Sequence, residues 1–211
     1  MDLRVFEIFA GIQGESTRAG QPCAFVRLSG CDIGCTYCDT PQARDFAAGR
    51  QMSTAQAHAE VERLGLCLTE ITGGEPLLQR AAALDLAARL LESRKTVMLE
   101  TSGCLPLHGL DPRIEVVMDV KTPASGAAHR FLHENLSLLD ANDEVKFVLV
   151  NGEDYQWARR FVAEHDLSAV RAVHFSPAWG FLEPRQLAAW IRRDNLPVRL
   201  AVQLHKILGI P

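Results

Sequence analysis

Cys31-Asp32-Ile33-Gly34-Cys35-Thr36-Tyr37-Cys38-Asp39-Thr40 crowds three thiols into a short stretch, with the spacing Cys-x3-Cys-x2-Cys and an aromatic residue before the third Cys. Thiolates suit zinc and iron–sulfur clusters. A four-iron cluster takes four ligands, and this loop supplies three. Structural zinc asks for a fourth protein ligand, yet no Cys or His follows at finger spacing; the next His is His58. The loop therefore reads as the seat of a [4Fe–4S] cluster with one iron open to a small ligand, zinc being the alternative. Cys23, Cys67 and Cys104 are scattered and read as buried packing residues.

The apolar run Ala24–Leu28 precedes this loop. Similar runs recur at Cys67–Thr72, Val97–Thr101, Val116–Val120, Val145–Val150, Ala172–Ser176 and Val198–Leu204, with another within Leu3–Phe9. Segments of helical period separate them. They are Thr54–Leu64, opened by Ser53 and Gln56 at capping-box spacing, then Arg80–Ser93, Arg130–Leu139, Tyr155–His165 and Pro184–Asp194. Such alternation predicts an α/β fold, a parallel sheet with covering helices. Loops that carry chemistry then leave the C-terminal ends of the strands. The cysteine loop follows one strand, Gly73-Gly74-Glu75-Pro76 the next, Ser102 the third and Lys121 the fourth. The unusual residues thus fall on one rim.

The chain has 211 residues, 47% hydrophobic and 23% charged, with a net charge of −4. One domain over residues 1–211 is expected, with a core that needs no disulfide staples. There is no basic footprint for nucleic acid. No apolar stretch approaches the roughly 18 residues that span a bilayer, and the start Met1-Asp2-Leu3-Arg4 lacks the pattern of a secretory signal. The expected setting is the cytoplasm, away from membranes, and the expected partner is a small molecule.

The cysteine motif resembles that of the radical S-adenosylmethionine (SAM) superfamily. Thr72-Gly73-Gly74-Glu75-Pro76 resembles that superfamily's GGEP segment, which contacts the SAM amino group. Glycines let backbone approach a ligand closely, and a strand-end carbonyl or Glu75 can accept from an ammonium. Other segments are similar to the 7-carboxy-7-deazaguanine synthases. Glu7-Ile8-Phe9-Ala10-Gly11-Ile12-Gln13-Gly14-Glu15-Ser16 resembles their opening, and Phe25–Cys31 and Cys38-Asp39-Thr40 continue the likeness. Val120-Lys121-Thr122-Pro123-Ala124-Ser125-Gly126 is similar to their Ser-Pro-Lys segment, with Asp119 and Val120 where Ser and Pro are usual. Val202-Gln203-Leu204-His205-Lys206 resembles their closing motif.

The resemblance implies a shortened, open partial (β/α) barrel of the radical SAM type. It implies a [4Fe–4S] cluster on Cys31, Cys35 and Cys38, with SAM on the fourth iron and Mg²⁺ assisting. The implied reaction takes 6-carboxy-5,6,7,8-tetrahydropterin to 7-carboxy-7-deazaguanine, a precursor of queuosine. It runs through hydrogen abstraction by a 5′-deoxyadenosyl radical, ring contraction and loss of ammonia. An electron donor such as flavodoxin or ferredoxin is implied, and a homodimer is an admitted assembly. The implied substrate residues are Ile12, Gln13, Gly14, Glu15, Arg27, Thr72, His205 and Pro211. Thr40 is the implied Mg²⁺ ligand. Tyr37, Cys38, Asp39, Gly74, Ser102, Asp119, Val120, Lys121, His174, Phe175, Ser176 and Pro177 are implied to border SAM.

These residue types allow such roles, each beside a plainer one. Arg27 is a planar fork for a carboxylate or a surface Arg at a strand end. Gln13, Gly14 and Glu15 read a pterin edge or make a turn. Thr40 joins substrate oxygens on Mg²⁺ or caps the segment at Pro41. Phe175 borders adenine or belongs to the core. His205 touches substrate or is an ordinary strand-end His. The apolar tail Ile207–Pro211 is expected to be docked, with the Pro211 carboxylate on the substrate or with apolar packing alone. Two rival readings are another small radical SAM enzyme, such as a glycyl-radical activating enzyme, and a non-catalytic zinc protein.

Replacing Cys31, Cys35 or Cys38 with Ala is expected to abolish the iron–sulfur chromophore after anaerobic reconstitution. Replacing Cys23, Cys67 or Cys104 with Ser leaves it. Iron and acid-labile sulfide analysis checks both, and full iron loading of Cys35→Ala would falsify the ligand assignment.

Overall fold

The computed structural model describes residues 1–210, so Pro211 lies outside the described residues. Nine strands form one sheet: β1 (Asp2–Ile12), β2 (Pro22–Leu28), β3 (Arg50–Ser53), β4 (Leu68–Gly73), β5 (Thr96–Thr101), β6 (Glu115–Asp119), β7 (Glu144–Leu149), β8 (Ala172–Pro177) and β9 (Arg199–Leu200). The strand order is β3-β1-β2-β4-β5-β6-β7-β8-β9. Every pairing from β2 through β9 is parallel, while β1 runs antiparallel to β2 and β3. The sheet stays open, and the fold is the α/β, shortened partial barrel that the motif resemblance implied.

Helices α1 (Thr54–Leu64), α2 (Arg80–Glu92), α3 (Gly152–Glu164) and α4 (Pro184–Arg193) lie in the crossovers, and α5 (Leu204–Leu208) follows β9. The capping box forms as its spacing predicts. The Ser53 hydroxyl accepts from the Gln56 amide at 3.2 Å, and the Gln56 side chain accepts from the Ser53 amide at 2.8 Å. Gly65, in the left-handed region at φ 69°, ends α1.

Strand side chains alternate between two faces. Val26, Leu28, Ile71, Leu99, Met118, Phe147 and Phe175 point to the helices and form the main core. Their neighbours Arg27, Glu70, Thr72, Glu100, Asp119 and Lys146 line the concave face. Cys23, Leu68, Met98 and Val117 make a small apolar patch on that second face, with Phe25 packed against it.

Four expectations fail. Only Arg199–Leu200 of Val198–Leu204 is strand. Leu204 instead starts α5, because its amide donates to Gly14 O at 3.1 Å and the Gln203 side chain donates to Glu15 at 2.7 Å. The Arg130–Leu139 segment is not an α-helix but 3-10 turns at Ala128–Arg130 and His133–Leu138. Buried Asn135 explains this: its side chain bonds Leu107 N, Gly103 O and Leu105 O at 2.9–3.0 Å, satisfying another loop's backbone rather than a helix. The tail is also less covered than its composition suggests, since Ile207 and Leu208 are each 55% exposed. Cys67, too, is exposed rather than buried. Among the described residues no helix is long and apolar enough to cross a membrane.

Asn135→Ala strands three buried backbone groups and is expected to lower stability by about 2–4 kcal/mol. Urea denaturation measures it; a change below about 0.5 kcal/mol would show that water replaces the amide.

Candidate active site

The loop after β2 is built on backbone bonds to its neighbours. Gly30 N and Cys31 N donate to Ala43 O and Arg44 O at 2.8 and 2.9 Å. Thr36 N donates to Ser125 O at 3.1 Å, and the Thr36 hydroxyl to Ala124 O at 2.7 Å. Tyr37, the aromatic residue of the motif, donates its hydroxyl to Val148 O at 3.3 Å at the end of β7. Arg130 clamps Asp32 at 2.7 Å. Cys31, Cys35 and Cys38 all carry free thiols and line one cavity of about 550 Å³. Burial pushes the Cys31 and Cys35 thiols up from their ordinary value. Cys104, Ile33 and Ala127 form a small apolar group beneath, against which Cys31 and Cys35 pack.

The Gly73-Gly74 junction meets this loop at backbone contact. Gly73 sits at φ 136°, and a Cβ there would stand 2.2 Å from Leu28 O; on Gly74 it would stand 2.1 Å from Gly30 O. Gly74 N and Glu75 N donate across to Leu28 O and Gly30 O at 2.9 and 2.8 Å. The Glu75 carboxylate is saturated. It accepts from Leu77 N, the Thr101 hydroxyl, Ser102 N and the Ser102 hydroxyl at 2.6–3.0 Å. It has no acceptor left for a ligand ammonium, and its work is to orient Ser102. Backbone carbonyls at the strand end remain for that task.

Across the cavity, Lys121 donates to Asp119 Oδ2 at 2.8 Å. Asp119 Oδ1 is buried without a partner among the described residues. An orphaned buried acceptor is costly, and Asp119 lines the cavity, so a ligand hydroxyl or ammonium would satisfy it. Three thiols, an oriented Ser102 and this free carboxylate oxygen fit an iron–sulfur cluster carrying SAM. Among the described residues no three His, Cys, Asp or Glu side chains are grouped to hold a single metal ion.

Deeper in the cavity lies a wall of charge. Lys146 on β7 donates to Glu15 and to Glu100, and stands 3.7 Å from Asp119. Gln203 donates to Glu15 as well, at 2.7 Å. Gln13 donates to Glu70 on β4. Burial alone would lower the Lys146 ammonium, but Glu100, Glu15 and Asp119 raise it well above its usual value. Glu70 and Glu100 line the cavity from the adjacent strands β4 and β5. Burial and the Glu100 charge push Glu70 well above the carboxylate range. Burial also opposes ionisation of Glu100, yet Lys146 and the Glu70 hydrogen bond bring it down to about 2. These surroundings favour a proton on Glu70 over one on Glu100. Arg27 donates from Nε to Glu7 at 2.7 Å, with its guanidinium 5.8 Å from the Phe9 ring centre.

Of the residues picked from sequence, Ile12, Gln13, Gly14, Glu15, Arg27, Cys31, Cys35, Tyr37, Cys38, Asp39, Thr40, Thr72, Gly74, Ser102, Asp119, Lys121 and His205 line this one cavity. Val120 and Phe175 lie instead in the core between sheet and helices. His174 is buried and bonded to Glu144 at 2.6 Å. Ser176 and Pro177 are buried in β8 away from the lining, the Ser176 hydroxyl without a partner among the described residues. Glu70, Glu100, Lys146 and Gln203 were missed. Glu70, Glu100 and Lys146 sit in strands that otherwise read as ordinary, where the one available signal was a charge at an inward position of an apolar run; Gln203 lies within the closing motif, where only His205 was singled out. Trp179 and Phe181, 54% and 62% exposed, also line the cavity after β8.

Residues 25–162 match the radical SAM superfamily, and the chain belongs to that class of protein. A 7-carboxy-7-deazaguanine synthase of Chlorobaculum tepidum is 42% identical over 99% of this chain and 95% of its own length. One from Koribacter versatilis is 40% identical over 99% and 98%. Within the superfamily, the chain is a member of the 7-carboxy-7-deazaguanine synthase family. The crystal structure of QueE from Escherichia coli shares the fold, with a TM-score of 0.79 at 23% identity over 97% of this chain and 95% of that one.

The Glu70 proton generates a pH prediction. The unfolded chain gives it up above about pH 4.3, whereas the folded protein keeps it. Stability therefore falls as pH rises from that point toward the folded-state value. Glu70→Gln mimics the protonated acid, so it is expected to remove up to about 1.4 kcal/mol per pH unit of that loss. Urea midpoints at pH 5.5 and 8 for both proteins measure it. Equal pH slopes would mean that Glu70 is ionised in the folded state.

Proposed function

We propose that this chain is a lyase that converts 6-carboxy-5,6,7,8-tetrahydropterin to 7-carboxy-7-deazaguanine with loss of ammonia. The observation that carries the reading is one cavity with two chemistries. Three cluster-type thiols stand at the rim, and a polar wall of amide, carboxylate, guanidinium and ammonium groups lies below. The relatives' shared name supports it over nearly the whole chain.

Cys31, Cys35 and Cys38 would hold the [4Fe–4S] cluster, which together with SAM supplies the radical that starts the reaction. Gly74 offers its backbone to the SAM ammonium, and Ser102, fixed by Glu75, faces the SAM carboxylate. Asp119 Oδ1 accepts from a SAM hydroxyl, and Lys121 holds Asp119 in place. Tyr37 and Asp39 border the same ligand.

Gln13, Gly14 and Glu15 read the donor–acceptor edge of the pterin. Arg27 pairs with its carboxylate from the strand beside Thr72. His205 packs on Gly14, where an added Cβ would come within 2.4 Å of its Nδ1. Burial lowers the His205 imidazole from its usual value, so it stays neutral near pH 7 and can hydrogen-bond in either sense. Thr40, whose hydroxyl donates to Asp39 at 3.0 Å, keeps lone pairs for Mg²⁺. Such an ion would take its other ligands from water and substrate. The reading requires a one-electron donor of the flavodoxin or ferredoxin kind, and a cytoplasmic setting suits it.

Incubation of the reconstituted protein with the carboxytetrahydropterin, SAM, Mg²⁺ and a reductant tests the reading. The deazaguanine and ammonia are expected in equal amounts; their absence with a full cluster and bound SAM would sink it. For the metal, Thr40→Val is expected to shift the Mg²⁺ dependence of turnover to about tenfold higher concentration, roughly 1.4 kcal/mol of binding. An unchanged titration removes Thr40 from the ion.

A further inference from the structure

Glu70 and Glu100 are the part of the cavity that substrate recognition does not use up. They stand on adjacent parallel strands, β4 and β5, and both line the cavity. Both face the same polar wall, Glu70 beside Gln13 and Glu100 beside Lys146. Two carboxylates that share a buried wall resist joint ionisation. The neighbours decide which one ionises. Lys146 donates to Glu100 Oε1, and the Thr72 hydroxyl approaches Glu100 Oε2 at 3.4 Å. Among the described residues, Glu70 receives the neutral Gln13 amide alone. Glu15, by contrast, is paired on both oxygens, by Lys146 and Gln203.

The proposed reaction needs both an acid and a base at this place. Substrate and product differ by one ammonia, so nothing is oxidised or reduced overall. The expelled ring nitrogen requires a proton to depart as ammonia, and the neighbouring ring carbon must give one up. Side chains that line the cavity can do both. Resting on the function proposed above, we infer that Glu70 and Glu100 are a catalytic pair sharing one proton, Glu70 the acid and Glu100 the base. The C–N bond breaks and its electron pair leaves with the nitrogen, which takes the proton of Glu70. Glu100 takes the proton of the adjacent carbon, and that C–H electron pair becomes the new ring C=C bond. The proton then crosses from Glu100 to Glu70 and restores the pair. Groups whose surroundings drive their proton affinities apart divide the acid and base roles in this way.

The test uses reconstituted parent, Glu70→Gln and Glu100→Gln proteins, with substrate deuterated at the carbon that loses hydrogen to the SAM-derived radical. Two rates are followed: passage of deuterium into SAM, and release of ammonia. Both variants are expected to pass deuterium within about threefold of the parent, while ammonia release falls about 10²- to 10⁴-fold. Ammonia at the parent rate in either variant overturns the pair. Loss of deuterium transfer along with ammonia also overturns it, since the residues then only place substrate. If the parent itself passes no deuterium and releases no ammonia, the function proposed above fails, and the pair with it. An independent readout needs no cluster. Infrared spectra of the cluster-free parent at pH 8 are expected to show a protonated-carboxyl band that Glu70→Gln lacks. A parent without that band overturns the proposal even if the variants do not fold.

Discussion

One buried ammonium organises the interior. Lys146 projects from β7 into the concave face and binds Glu15 from the β1–β2 connection and Glu100 from β5, with Asp119 of β6 at 3.7 Å. Burying an ion costs several kcal/mol unless its partners are well placed. Four elements must therefore take up one arrangement for the charge to be tolerated. The ammonium adds little net stability by this reasoning. It fixes where the carboxylates of the cavity stand.

The same β1–β2 connection closes the floor of the open sheet. Thr17 donates its amide to Glu144 at the start of β7, at 3.0 Å, and Arg18 binds Glu115 at the start of β6 at 2.7 Å. Arg171 reaches Glu115 at 3.0 Å, and His174 reaches Glu144 at 2.6 Å. These bonds sit at strand beginnings, while the cysteine loop sits beyond strand ends. The polar face of the sheet thus runs from a floor of ion pairs to the rim that carries the three cysteines, with the Lys146 network between. Its other face is a continuous apolar core under the helices.

At the rim, backbone replaces side chains as the fixing agent. The Gly74 and Glu75 amides bond the strand end that launches the cysteine loop. Glu75, fully occupied, orients Ser102. The β6–β7 connection carries no α-helix and brings Ser125 against Thr36, while Val148 at the end of β7 holds Tyr37. A cluster site held this way depends little on rotamers, because backbone groups have few alternatives once the strands are paired.

The sequence by itself determined the cluster loop, the strand ends that carry it, the parallel order of the sheet and the capped first helix. All rest on local chemistry: thiol spacing, short apolar runs between segments of helical period, glycines at close contacts and Ser53 with Gln56. It also placed Arg27, Gln13, Glu15, Asp119 and Lys121 in one cavity, through motifs a few residues long. Tertiary structure alone decided the rest. Glu70, Glu100 and Lys146 are far apart in sequence, and each looks like a stray charge in an apolar strand until the sheet stacks them. Residues 130–139 have helical spacing, but buried Asn135 spends its side chain on another loop. Residues 201–204 have strand-like composition, but Gly14 and Glu15 capture Gln203 and Leu204 and turn the chain into α5. Phe175 goes to the core and His174 to Glu144, because alternation fixes only that neighbours face opposite ways. What each face meets is set by long-range pairing, on which local propensity carries no information.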